Sequence, residues 1–168
     1  ILISNFISDR YKPVIIPTSD FAMKVIDCNY NMLRQKYIVP NAGCTEGKVV
    51  ELMNKSIMNK IAVEAGFNIP ESWELDFDST GIFIPKEIVY PCIVKPLCSI
   101  EGKKSDINIC QNRSELKNSL LRLKDDYNRV LVQEYIYGKN DRMLEVIGCI
   151  TLNKGMAIMP GVIKKIRE

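Results

Sequence analysis

The stretch that most limits the fold of this chain is Tyr90-Pro91-Cys92-Ile93-Val94-Lys95-Pro96. Tyr90 to Pro96 is predicted as a strand bracketed by Pro91 and Pro96, with one cation among apolar neighbours. Strand alternation puts Lys95 on the face of Ile93. An ammonium there is costly to bury without an anionic partner. Glu134 presents the mirror problem. It lies in the predicted strand Arg129 to Ile136 and shares a face with Val132 and Ile136, where an unpaired carboxylate is equally costly. Two solutions stand open. Either Lys95 and Glu134 pair or reach solvent, or both line a cleft that takes a polar, charged ligand.

The rest of the chain alternates between helix and strand signals. Val14-Ile15-Ile16 before Pro17 reads as a short buried strand. Thr18-Ser19-Asp20 then offers a helix N-cap, with Ala22, Met23, Val25 and Ile26 as the apolar face. Strand, polar turn and helix make half of a βαβ unit. Pro40-Asn41-Ala42-Gly43 breaks the pattern and marks a boundary. Residues 46 to 65 are predicted helical, as two pieces meeting near Asn54. Met53, Ile57, Met58, Ile61, Ala62 and Ala65 form the stripe there, although Glu64 intrudes. Gly66 suits the end of that helix, and Pro70 prevents its resumption. Ser72 to Leu75 is predicted as a strand, 76 to 87 as a loop, and Ile107 to Cys110 as a strand. Ser114 is expected to cap a helix with Leu116, Leu120 and Leu123 on one face. Leu144 to Leu152 and Met156 to Lys164 are predicted as strands joined by Asn153-Lys154-Gly155.

Composition excludes several classes of function. The 168 residues are 46% hydrophobic and 26% charged, which suits globular rather than disordered structure. No apolar run approaches the roughly 18 residues of a membrane span, so no membrane partner is expected. The net charge is +3, with only the short basic pairs Lys103-Lys104 and Lys164-Lys165, so no nucleic-acid partner is expected either. Histidine is absent. That removes imidazole bases, Ser-His triads and most transition-metal sites. None of the 6 cysteines is spaced as C-x-x-C; reduced structural thiols and a cytoplasmic setting are the expectation. Ile1 is not Met, and no signal-peptide pattern follows it; a fragment of a longer polypeptide is expected.

Two further stretches suit a nucleotide. The loop Ser99-Ile100-Glu101-Gly102-Lys103-Lys104-Ser105 combines cations with one glycine, which suits phosphate oxygens. It contains neither a Walker A loop nor G-x-G-x-x-G, and polar loops between strands are commonplace. Gln133-Glu134-Tyr135-Ile136-Tyr137-Gly138 ends a strand and leaves backbone donors and acceptors free for an adenine edge. Asp141 can accept from ribose hydroxyls. The plainer use of that stretch is a hairpin with a glycine turn.

Taken in order, Asn54-Lys55, Ala65-Gly66-Phe67-Asn68-Ile69-Pro70, Tyr90-Pro91-Cys92-Ile93-Val94-Lys95-Pro96 and Val130-Leu131-Val132-Gln133-Glu134-Tyr135-Ile136-Tyr137-Gly138 resemble the ATP-grasp superfamily. The branch they most resemble is that of carbamoyl phosphate synthase large-subunit-like and D-aspartate ligase-like proteins. The resemblance covers residues 46 to 150 and implies an α/β (α+β) fold. Residues 1–45 would be the end of a preceding α/β domain and linker. Residues 46–136 would be the small, nucleotide-binding subdomain, and 137–168 the start of the large one. It implies that Lys55 and Lys95 contact ATP phosphates, and that Ser99, Gly102 and Lys103 belong to a lid. Gln133 to Ile136 would be the hinge strand, with Glu134, Tyr135 and Ile136 placing the adenine, and Asp141 would hold the ribose. It also implies ATP and a small carboxylate as ligands, and magnesium in a full-length parent. The activity implied is a carboxylate–amine or carboxylate–thiol ligase working through an acyl phosphate, catalytically incomplete in this stretch and with an exposed sheet edge prone to self-association. Asn54 stands where the family often has Asp, and the lid is poor in glycine. A non-catalytic module of the same fold, and an unrelated α/β small-molecule-binding domain, are the rival expectations.

Overall fold

The computed structural model describes residues 10–77, 81–98, 100, 102–138, 144–150 and 157–164. The chain divides into two compact units, Ile1–Tyr135 and Ile136–Glu168.

Among the described residues, the first helices of this unit are α1 (Asp20–Asp27) and the single turn α2 (Tyr30–Leu33). Ser19 caps α1 by accepting the Ala22 N–H at 3.1 Å. Met23 and Ile26 pack with Leu33 and Tyr37 in a small core, edged by Ile15, Val39, Val49 and Met53. Val25, expected on that face, is 48% exposed. The expected buried strand at Val14–Ile16 is not formed. Only one parallel bridge, Val14 to Ile38, is made, and Val14 and Ile16 are 61% and 78% exposed. Prolines at 13 and 17 supply no N–H to a ladder, so pairing stops after one bridge and Ile15 alone turns inward.

Helices α3 (Lys48–Leu52) and α4 (Lys55–Glu64) meet at Asn54 as expected. Asn54 Oδ1 accepts the N–H groups of Ser56 (2.9 Å) and Ile57 (3.3 Å), which starts α4. Gly66 ends it. The Gly66 N–H bonds to Val63 O and the Phe67 N–H to Ala62 O, both at 2.9 Å, which is the Schellman pattern. Helix α3 begins differently. Its N-cap, Gly47, has no side chain to offer. The carboxylate of Asp27, fully buried at the end of α1, accepts the Val50 N–H at 2.9 Å instead.

Four antiparallel strands form the sheet, in the order β1 (Ser72–Asp76), β4 (Arg129–Glu134), β2 (Cys92–Pro96), β3 (Asn108–Cys110). One face carries Leu75, Cys92, Val94, Cys110, Val130 and Val132. It packs on Leu116, Leu120 and Leu123 of helix α5 (Arg113–Leu123), with Ile84 and Ile88 from the loop after β1. These leucines repeat at helical spacing, as the sequence predicts. The cap of α5 is Asn112 rather than Ser114. Asn112 Oδ1 accepts the Glu115 N–H at 3.0 Å, and Glu115 in return accepts the Gln111 N–H at 2.9 Å. A carboxylate at the third helical position makes the residue three before it the favoured cap.

The stripe expected along α4 is not buried. No residue of this helix is, and Met58 and Ile61 are 44% and 40% exposed. The main core lies on the other face of the sheet, and α4 contacts β1 through a polar bond, Asn59 Nδ2 to Ser72 Oγ at 3.4 Å.

Cys28, Cys44, Cys92, Cys98 and Cys110 are all free thiols. Burial, followed by the neighbouring Cys110, pushes the Cys92 thiol up to about 12, so it behaves as an apolar core residue. In the second unit, β5 (Leu144–Ile150) pairs antiparallel with β6 (Ala157–Lys164), with a register irregularity between Ile147 and Cys149. The expected linker Asn153-Lys154-Gly155 lies outside the described residues. Among the described residues no helix is long and apolar enough to cross a membrane.

Candidate functional site

Lys95 lies near the end of β2, opposite Leu131 of β4. Alternation places Ile93, Lys95, Leu131, Gln133, Ser72 and Glu74 together on the sheet face away from the α5 core. Lys95 Nζ donates to Gln133 Oε1 at 2.7 Å. Gln133 Nε2 donates to Ser72 Oγ at 2.9 Å, and the Ser72 hydroxyl donates to Pro70 O at 2.9 Å.

Lys55 arrives from the first turn of α4. Its backbone N–H and its ammonium both donate to Leu97 O, at 3.0 and 3.4 Å, and the antiparallel bridge between Asn54 and Cys98 fixes this junction. The helix start is therefore attached to the chain just beyond Lys95. Burial lowers the pKa of both ammonium groups, and the Lys55 charge lowers that of Lys95 further. Both lysines are half-buried. Lys48–Glu51, Arg129–Glu74 and Arg129–Asp76 form ion pairs, and none of these involves Lys55 or Lys95.

Glu134 does not meet Lys95. Cys92 lies opposite Glu134, and Lys95 opposite Leu131. That three-residue offset puts the two side chains on opposite faces of the sheet. The Glu134 carboxylate accepts the Glu71 N–H at 3.3 Å, while its own N–H donates to Glu71 O at 2.8 Å. The Lys95–Glu134 pair is therefore corrected: register, which long-range pairing sets, separates the two side chains. Tyr135 follows and donates its N–H to Pro91 O at 3.1 Å. Ile136 is 60% exposed and begins the second unit.

Gly102 lies against Pro96, the last residue of β2. A Cβ at Gly102 would come within 2.7 Å of Pro96 Cγ, so a side chain there displaces the loop. The Lys103 N–H donates to Asp106 Oδ2 at 2.8 Å, and Asp106 also accepts the hydroxyl of Tyr127. Lys103 helps to line a cavity of about 570 Å³ with Asn54, Leu97, Cys98, Asp106 and Tyr127. Lys55 and Lys95 are not on its wall. A second cavity of about 520 Å³ lies between α4 and β1, against Ser56, Asn59, Val63, Pro70, Ser72 and Leu131. Ser99 and Asp141 lie outside the described residues.

The Tyr127 hydrogen bond, more than any other contact, holds the Asp106 carboxyl below its ordinary value; burial and then Asp106 push the phenol up to about 12. Because the folded carboxyl is depressed, its stabilising contribution is complete above the unfolded value near about 3.9 and is lost as pH falls through the folded one. Tyr127→Phe is expected to flatten the acid-side loss of stability below about pH 4. Urea midpoints of both proteins between about pH 2 and 5 check it, and parallel profiles would contradict it.

Sequence reasoning did not find the Ser72–Gln133–Lys95 chain or the Asp106–Tyr127 bond. Each joins residues far apart in the chain, and no local pattern announces them.

No family model matches the chain. Among curated proteins it is 31% identical over 86 residues to a D-alanine–D-alanine ligase of Fervidobacterium nodosum, covering 51% of this chain and 25% of that one. It is 33% identical over 95 residues to a D-alanine–D-alanine ligase of Bacillus velezensis, covering 52% and 26%. The match thus spans about a quarter of these relatives. Among solved structures, the VanG D-Ala:D-Ser ligase of Enterococcus faecalis superposes with a TM-score of 0.58 at 17% identity, over 83% of this chain and 39% of that one. A RimK domain protein ATP-grasp from Sphaerobacter thermophilus gives 0.57 at 17% identity, over 83% and 48%. The unrelated-domain alternative falls on this likeness, and the fold of the chain is that of the ATP-grasp proteins.

Proposed function

We propose that this chain is the ATP-binding part of an ATP-dependent carboxylate–amine ligase. The observation that carries the proposal is the pair Lys55 and Lys95. Two half-buried ammonium groups, one from β2 and one from the start of α4, repel each other, with no carboxylate bonded to either among the described residues. Such a site favours an anion, and phosphate oxygens match amine donors. The similarity to D-alanine–D-alanine ligases supports the reaction class.

In such a ligase a carboxylate takes a phosphoryl group from ATP to give an acyl phosphate, and an amine then displaces phosphate. Positioning and charge neutralisation supply most of that catalysis. In this reading Lys55 and Lys95 hold phosphate oxygens, with the 99–105 loop, including Gly102 and Lys103, closing over them. Residues 133 to 136 form the hinge strand, with Glu134, Tyr135 and Ile136 placing the adenine, and Asp141 holds the ribose. Residues 46–136 form the nucleotide-binding subdomain, after the end of a preceding domain and before the start of the large one. The carbamoyl phosphate synthase-like and D-aspartate ligase-like branch, which the motifs resemble, belongs to the same chemistry. Magnesium is proposed to accompany ATP in the full-length parent, and no step is routed through it.

The test is thermal unfolding of the chain against ATP concentration. At 100 times the dissociation constant, ATP is expected to add about 2.7 kcal/mol. Melting that does not move with millimolar ATP overturns the proposal.

A further inference from the structure

The Lys95 ammonium donates to a neutral amide, whose orientation the structure fixes. The Ser72 hydroxyl has a single proton, and Pro70 O takes it at 2.9 Å. Ser72 Oγ therefore only accepts from its other neighbours, Asn59 Nδ2 at 3.4 Å and Gln133 Nε2 at 2.9 Å. The NH2 end of Gln133 must face Ser72, so its carbonyl end must face outward along the sheet. Lys95 Nζ, which can only donate, meets that carbonyl at 2.7 Å. Both ends of the chain of bonds demand the same orientation of the amide.

From this we infer that Gln133 is a positioning residue for Lys95, itself oriented by Ser72, and that its neutrality keeps the Lys95 charge available to an anionic ligand. The inference rests on the nucleotide reading and gives the Gln133 side chain, on the hinge strand, a role at the phosphate-binding lysine. A carboxylate at position 133 would reach Lys95 with the same geometry, but it would neutralise the ammonium and compete with phosphate. The neighbouring charges leave that role to the amide. Lys55 from α4 repels Lys95, and Glu74 on the same sheet face is engaged by Arg129 at 3.2 Å. Ser72 lies at the first position of β1, where it reaches both Pro70 and the amide.

The test uses the full chain with ATP as the probe, in Gln133→Glu, Ser72→Ala and Ser72→Thr, with melting curves confirming that each variant folds. Affinity is measured by calorimetry at two salt concentrations, and the Lys95 Nζ resonance by nitrogen-15 NMR. Gln133→Glu is expected to weaken ATP about tenfold or more and to flatten its salt dependence, because the charge is already matched. Ser72→Ala is expected to weaken ATP about threefold by freeing the amide to turn, with Ser72→Thr restoring it. The Lys95 signal should move in Gln133→Glu and Ser72→Ala and return in Ser72→Thr. Unchanged ATP affinity in both Gln133→Glu and Ser72→Ala, or a Lys95 signal that stays in place in both, overturns the inference. If the unsubstituted chain shows no heat with ATP, the nucleotide reading falls, and the Lys95 signal in Ser72→Ala and Ser72→Thr decides the positioning role by itself.

Discussion

Lys95→Met is expected to lower the affinity for ATP by roughly 10- to 150-fold, the loss of a charge-assisted hydrogen bond of about 1.5–3 kcal/mol. Methionine keeps most of the aliphatic stem and its packing. Stability should change little. Gln133 Oε1 loses a donor, at a cost of about 1 kcal/mol. The desolvation of a half-buried ammonium and its repulsion by Lys55 are relieved at the same time. A buried ion pair would behave in the opposite way, since removing one partner of such a pair costs roughly 3–5 kcal/mol. Calorimetric titration with ATP and urea unfolding of the same variant separate the two outcomes. Undiminished affinity would remove Lys95 from the site.

Leu120→Ala is expected to destabilise the first unit by about 2–5 kcal/mol. Leu120 and Leu116 are 0% exposed, between the sheet and the body of α5. Truncation there loses buried area and leaves a cavity that rigid strands close only in part. The matching change on α4, Ile61→Ala, should cost under about 1 kcal/mol, because Ile61 is 40% exposed and packs in no core cluster of the described residues. Urea midpoints of the two variants, compared at one pH, check the ordering. Equal losses would mean that the two faces of the sheet carry equal weight.

The contrast between Leu120 and Ile61 shows what the sequence makes legible. Both sit on apolar stripes of helical period, and periodicity predicts a helix in each case without saying whether anything covers the stripe. Local punctuation reads well. Asn54 breaks and restarts a helix, Gly66 ends it, and Pro91 and Pro96 bracket a strand, because these signals act within a few residues. Val14–Ile16 misleads because apolar content does not reveal that flanking prolines leave only one bridge. The Lys95–Glu134 expectation fails for a different reason. Each residue has a determinable face on its own strand, but which face of one strand matches which face of the other depends on register. The candidate site follows the same division. Lys55 and Lys95 are visible as cations in ordered motifs, whereas Ser72 and Gln133 enter only once β1, β4 and β2 are aligned.

The carboxylate of Asp27 that starts α3 has a consequence for the intervening chain. A helix of this length, beginning at a glycine, cannot initiate itself; its first turn is borrowed from an element some twenty positions upstream. Residues 28 to 46 thus act as a tether of set reach, tolerant of substitution at an exposed site such as Cys28 but intolerant of any insertion or deletion that withdraws the borrowed oxygen from Val50. Because Asn54 and Lys55 follow directly on α3, the length of that tether also determines where the first amine of the site is delivered.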